Sequence, residues 1–155
     1  MTKEETYMMR ALELARLAAE KDEVPIGAVI VDTESGEIVA ESHNMSEHGG
    51  EATAHAEMLA MQQACLKLGQ KRLWNMDLYV TLEPCTMCAA AISFMRIGRL
   101  YFGATDAKGG AVVSGVRFFE QPTCHHRPEV IEGICAEECG KVLKEFFKKK
   151  RDKKS

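Results

Sequence analysis

The sequence predicts an α/β fold, on three observations. Apolar, β-branched runs of strand length alternate with longer runs of helix formers. In the middle of the chain "DLYVTLE", "CTMCAAAISFMR" and "RLYFGAT" read as strand, helix and strand, an order that implies a parallel crossover connection around one sheet. At 155 residues and 46% hydrophobic content the chain can bury one sizeable core, whereas two domains would leave both undersized. A single domain over residues 1–155 is expected, with a basic helix end at 141–155.

The elements follow in order. Thr2 with Glu5 three residues on is a capping-box pattern, and Met8, Ala11, Leu12, Ala15 and Ala18 then fall at helical spacing, so the first element is a helix. "VPIGAVIVD" and "EIVAESHN" are strand-like and are joined by "TESG", which has the chemistry of a turn between antiparallel strands. The run "TAHAEMLAMQQACLKLG" is dense in helix formers and stops at Gly69. The strand, helix and strand of the middle come next. Between 106 and 134 the chain is Gly-rich and irregular, with "VRFF" and "EVIEGI" expected to be extended. Cys135, Cys139, Val142, Leu143, Phe146 and Phe147 trace one face of a last helix whose other face is charged.

Composition excludes several classes. Charge interrupts every apolar run before it reaches membrane-spanning length, and Met1 leads directly into "TKEETYMMR" without an apolar leader, so no membrane partner is expected and the location is cytoplasmic. In that reducing setting the six cysteines serve as buried apolar groups, metal ligands or reactive thiols rather than disulfides. The net charge of −3 hides an asymmetry: residues 141–155 carry +6 and the remainder −9. On charge alone such a tail is a solvated end or a polyanion contact.

Cys85 and Cys88 stand three apart behind Pro84, at the head of the third helix. Such a pair supports a redox dithiol, half of a four-ligand structural zinc site, or two ligands of a catalytic metal. A helix N-terminus favours the thiolates that a metal needs. Thirty residues upstream, at the head of the preceding helix, are His55 and Glu57. Residues two apart on a helix diverge by about 200°, so these two share a site only at the first turn, where two helix N-termini meet. The order H-x-E then P-C-x-x-C matches a signature known for zinc deaminases. The physics accounts for its composition. His55, Cys85 and Cys88 as three ligands of one Zn2+ per chain leave the fourth position for water, which becomes hydroxide near neutral pH, and Glu57 shuttles the protons that deamination requires. A second metal group from Cys124, His125 and His126 with Cys135 and Cys139 is the weaker reading, because Cys135 and Cys139 lie on an apolar stripe; Cys65 is likewise expected in the core.

Beyond this motif, "EVPIGAVIV", "TAHAE", "LYVTLEPCTMCA", "FGATDAKGGA" and the terminal "FF" followed by basic residues closely resemble the bacterial tRNA adenosine deaminases, within the cytidine deaminase-like superfamily, over nearly the whole chain. The resemblance implies a three-layer α/β/α fold with a central mixed sheet and helices on both faces, a homodimer, and conversion of adenosine to inosine at the wobble position of a tRNA anticodon loop. It further implies that Asn44 hydrogen-bonds the target nucleoside and that Ile26 forms part of its apolar wall. Two departures stand out: His125 occupies the place of a second substrate-contacting asparagine, and Ala52 stands where a proline often precedes "TAHAE". A base splayed from an RNA loop needs stacking and phosphate contacts. Phe147, Lys148, Lys149, Lys150 and Arg151 suit that purpose. The expected function is therefore that of a zinc hydrolase acting on tRNA adenosine. The alternatives are a deaminase of a free nucleobase or nucleotide and a zinc-stabilised RNA-binding module without catalysis, the last of which has no use for Glu57.

Overall fold

The computed structural model describes residues 1–154; Ser155, the last residue of the expected basic end, lies outside them. The elements are α1 (Lys3–Glu20), β1 (Gly27–Asp32), β2 (Ile38–His43), α2 (Ala56–Leu68), β3 (Met76–Leu82), α3 (Thr86–Phe94), β4 (Arg99–Ala104), a 3-10 turn (Phe118–Glu120), β5 (Glu129–Glu132) and α4 (Ala136–Lys154). The strands form one sheet in the order β2-β1-β3-β4-β5. β1 runs antiparallel to both β2 and β3, while β3, β4 and β5 are mutually parallel neighbours, so the sheet is mixed.

Side chains alternate across the sheet and divide the core into two layers. On one face Ala28, Ile30, Leu78, Val80, Leu100 and Phe102 pack with α2 and α3. On the other, Val29, Val31, Tyr79 and Tyr101 pack against α1 and Cys139 of α4. Tyr79 and Tyr101 are register partners on β3 and β4 and stack with centroids 4.2 Å apart. The α1 and α4 layers lie very close to the sheet. A Cβ on Gly27 would come within 1.9 Å of the Ala11 carbonyl oxygen, and one on Gly103 within 2.4 Å of Cys139 Sγ. Only glycine allows these approaches.

Local signals explain the helix ends. Thr2 Oγ1 accepts from Glu5 N while Glu5 Oε1 accepts from Thr2 N, closing the capping box. α2 ends at Gly69 in the left-handed region, φ 65°. Two expectations fail. "VRFF" is not extended: Arg117 adopts φ 47° and Phe118 to Glu120 form the 3-10 turn. Phe118 N donates to Ala111 O and Phe119 is buried, so the pair caps the core while β5 takes the place beside β4. Cys135 lies outside α4, with φ 54°, and the apolar stripe splits: Cys139 and Phe146 turn inward, whereas Leu143 and Phe147 line a cavity.

Between β3 and α3 the chain buries Glu83, 2% exposed. Its Oε1 accepts from Asp106 N and Ser114 Oγ, and its Oε2 from the backbone N–H groups of Val112, Val113 and Ser114, all at 2.9–3.0 Å. Burial alone would raise its pKa, but the backbone donors outweigh that and hold it below the usual carboxylate value. Glu83→Gln places an amide N–H2 against these donors and is expected to cost about 3 kcal/mol or more in urea unfolding. Because the folded-state pKa is lowered, this stabilisation is present above the unfolded carboxylate pKa of about 4.3 and is lost as pH falls through the folded value. The unfolding midpoint of Glu83→Gln should consequently depend less on pH than wild type below about pH 4.

Candidate metal centre and active site

His55 is the N-cap residue of α2 and Cys85 that of α3, both extended, and neither side chain caps its helix. Both side chains instead turn toward one point. His55 Nδ1 lies 3.6 Å from Cys85 Sγ and 3.5 Å from Cys88 Sγ. These three form the group able to hold a metal among the described residues, with donor atoms all within 4.8 Å of one another. Tetrahedral zinc with Zn–S of about 2.3 Å and Zn–N of about 2.0–2.1 Å requires S···N separations of about 3.6 Å, so the donors already stand at the right spacing. The Cys124, His125 and His126 stretch forms no such group with Cys135 and Cys139 among the described residues. Cys124 Sγ donates to His126 O, and Cys139 is buried against Gly103.

The electrostatics match a metal site. The Cys85 thiol is held down to about 5, first by a hydrogen bond from Cys88, against the effect of burial, and further by the Cys88 N–H and His55. Cys88 is pushed up because its proton is committed to Cys85 and because it is buried. A metal takes both sulfurs as thiolates, so its binding would release the proton that Cys88 shares with Cys85. Glu57, two residues after His55, is 4% exposed, and its Oε1 has no hydrogen-bond partner among the described residues. Burial pushes its carboxyl up to about 7. A buried carboxylate oxygen without a partner is costly, and such an atom belongs at a site where a ligand completes its bonding.

Asn44 follows β2 and is 5% exposed. Its N–H donates to Ile26 O, and its Oδ1 accepts from Ser46 Oγ at 3.0 Å. Ile26, with Leu82, Leu143 and Phe147, gives the apolar wall of a cavity of about 770 Å³. Lys108, Lys150 and Arg151 supply positive charge on the same wall. None of the metal donors lines this cavity; its wall includes Ile26, whose carbonyl accepts from Asn44 N, and Leu82, three residues before Cys85.

The basic end divides between two surfaces. Phe147, Lys150 and Arg151 reach the cavity, whereas Lys149 lines a separate groove with Arg16 and Glu145 and Lys148 is exposed. Lys150 Nζ is also bonded to Asp22 Oδ2 at 2.8 Å. Phe146 is buried and Phe147 is 45% exposed. His125 is exposed and lies neither on this cavity wall nor in the metal group. Its neighbour His126 is the fixed residue, its Nε2 donating to Ile97 O at 2.7 Å and its carbonyl accepting from Ser93 Oγ at 2.8 Å. Sequence reasoning missed Glu23 and Glu83, although a Glu at the border of an apolar strand run is a readable anomaly when that run is buried.

The family model of the cytidine and deoxycytidylate deaminase zinc-binding region matches residues 1–104. A tRNA-specific adenosine deaminase of Agrobacterium fabrum is 58% identical over 145 residues, 94% of this chain and 94% of the relative. One from Bacillus subtilis is 46% identical over 154 residues, 99% of this chain and 94% of the relative. A solved structure from a study of A-to-I editing by tRNA deaminases at the wobble position superposes with a TM-score of 0.87 at 58% identity, covering 89% of this chain and 99% of the other. A guanine deaminase from Nitrosomonas europaea, 23% identical, shares the fold with a TM-score of 0.76 over 92% of this chain and 83% of its own. With His55, Cys85 and Cys88 at zinc spacing and Glu57 beside them, the chain belongs to the tRNA-specific adenosine deaminases, within the zinc-binding cytidine and deoxycytidylate deaminase family.

Proposed function

We propose that this chain hydrolyses adenosine to inosine and ammonia at the wobble position of a tRNA anticodon loop. The observation that carries the reading is Glu57, buried beside three zinc donors with one carboxylate oxygen left without a hydrogen-bond partner among the described residues. His55, Cys85 and Cys88 would hold a zinc ion, which would supply the Lewis acidity that lets water ionise near pH 7. Glu57 takes a proton from the attacking water and delivers it to N1 of the adenine ring as the C6–O bond forms. It then carries the remaining proton, now on the C6 hydroxyl, to the amino group as the C6–N bond breaks and ammonia leaves. Asn44 hydrogen-bonds the nucleoside and Ile26 packs against it. Phe147, Lys150 and Arg151 meet the flanking nucleotides along the cavity, with Lys148 and Lys149 adding charge outside it.

A homodimer belongs to the same reading. Trp74, Phe94 and Val116 are each more than half exposed. Arg72 donates to Phe94 O and Trp74 meets His126 edge-on, so the first two lie on one surface, of the apolar kind that copies of a chain bury. None of the described helices is long and apolar enough to cross a membrane. The same reading makes the chain a cytoplasmic enzyme of one zinc-dependent deaminase domain. Incubating the zinc-loaded protein with tRNAs and with free nucleosides, then measuring inosine and uridine, tests the function: inosine in tRNA is expected, and product from free nucleosides alone would overturn it.

Glu57→Gln should lower turnover by about 10²- to 10⁴-fold while metal analysis still finds one zinc per chain, because a proton carrier is lost but no ligand is. Cys88→Ala should lose zinc and unfold at lower temperature, since metal binding and folding are coupled. Neutralising Lys148, Lys149, Lys150 and Arg151 together should weaken tRNA binding and flatten its salt dependence by up to about 0.9 in log–log slope per phosphate contact removed. Zinc content should not change, and turnover at saturating tRNA should fall much less than affinity.

A further inference from the structure

Glu23 is a third buried glutamate, 1% exposed. It stands in the turn after α1, beside the cavity-lining Val24, yet none of the proposed chemistry uses it. Its Oε2 accepts from His48 N at 2.6 Å and meets His48 Nδ1 at 2.7 Å; its Oε1 accepts from Glu47 N at 3.1 Å and lies 3.5 Å from Asn44 Nδ2. The hydrogen-bond partners of its carboxylate among the described residues thus come from one five-residue stretch, 44–48. Glu47 and His48 in turn line a cavity of about 320 Å³ that shares Val24, Phe147 and Lys150 with the larger one. The stretch is a wall of the same groove.

A carboxamide is nearly symmetric in shape, so only its hydrogen-bond partners decide which end is oxygen and which is nitrogen. Ser46 Oγ, the other partner of Asn44, can donate or accept and permits either sense. A carboxylate only accepts. Glu23 therefore admits the Asn44 amide in one sense, nitrogen toward itself, leaving one N–H and one oxygen lone pair for a further partner.

We propose that Glu23 is a positioning residue for the deamination, clamping the 44–48 stretch and setting the sense in which Asn44 presents its amide to the nucleoside. This rests on the reading that Asn44 contacts the nucleoside. Glu23 touches no reacting atom and acts through Asn44 and the backbone of the loop. A glutamine in its place keeps the shape but turns a donor toward the loop, so either a backbone N–H loses its acceptor or the Asn44 amide loses its fixed sense.

The test is a double-mutant cycle on zinc-loaded proteins, with kcat/KM read on an anticodon stem-loop RNA carrying a wobble adenosine and hydrogen exchange read over residues 44–52 without RNA. Glu23→Gln should lower kcat/KM by up to about 100-fold, the scale on which a misplaced group costs an enzyme, and should speed exchange over 44–52. Asn44→Ala should lower kcat/KM as well, and the double variant should stay within about a factor of two of Asn44→Ala alone, because both act through one contact. Losses that multiply in the double variant overturn the proposal, as does unchanged exchange in Glu23→Gln. Wild-type kcat/KM in Asn44→Ala overturns the nucleoside contact, and this proposal with it, while leaving the deaminase reading intact. An RNA inert to the wild-type enzyme overturns the deaminase reading, and exchange still decides separately whether the clamp exists. His48→Ala removes one donor of the clamp with little demand on the fold. It should shift exchange over 44–52 and kcat/KM in the same direction by less, and no shift in either would count against the clamp even if Glu23→Gln does not fold.

Discussion

A negative charge is buried where β3 gives way to α3, and the layout of the cavity follows from satisfying it. The Glu83 carboxylate draws in the backbone of residues 106–114, which have little regular structure of their own. That loop brings Asp106 and Lys108 to the cavity wall. The same residue stands two positions before Cys85, so the bonds that hold the loop also fix where α3 begins, and hence where two of the three zinc donors lie.

Three glutamates are buried around the groove, and their surroundings give them opposite properties. Glu83 meets several donors, and its pKa is held low despite burial. Glu23 is in the same condition: burial would raise it, and the His48 and Glu47 backbone N–H groups with the His48 ring bring it down. Glu57 has too few donors, and burial wins, at about 7. A carboxylate saturated with backbone donors stays charged and holds a loop; one deprived of them can accept and release a proton near neutral pH. The same side chain thus serves as scaffold twice and as proton carrier once.

Much of this was legible in the sequence because it depends on short-range spacing. The capping box, the Gly69 stop, the strand pair around "TESG" and the meeting of His55, Cys85 and Cys88 all follow from patterns a few residues wide placed at the ends of elements. The readings that failed depend on distant partners. "VRFF" has strand composition, but Phe118 answers to Ala111 and Phe119 to the core beneath α3. Glu23 went unnoticed ahead of "VPIGAVIVD", since its partners lie 21 to 25 residues away. The two faces of α4 were visible as a stripe, yet which phenylalanine turns inward depends on what α4 packs against: Phe146 is buried and Phe147 meets the groove.

The two helix starts carry a thermodynamic consequence of their own. Thr2 shows what a first residue ordinarily does for a helix, exchanging bonds with Glu5. His55 and Cys85 hold the same position on α2 and α3 and give their helices no such bond. Serine, asparagine or aspartate at either place would stabilise the metal-free fold by about 1 kcal/mol. With zinc present the order reverses, because the free energy of binding adds to that of folding. The ranking of sequences by heat resistance is therefore a function of the metal in the medium: in a chelating buffer selection for endurance favours replacing the ligands, and in a zinc-replete one it protects them.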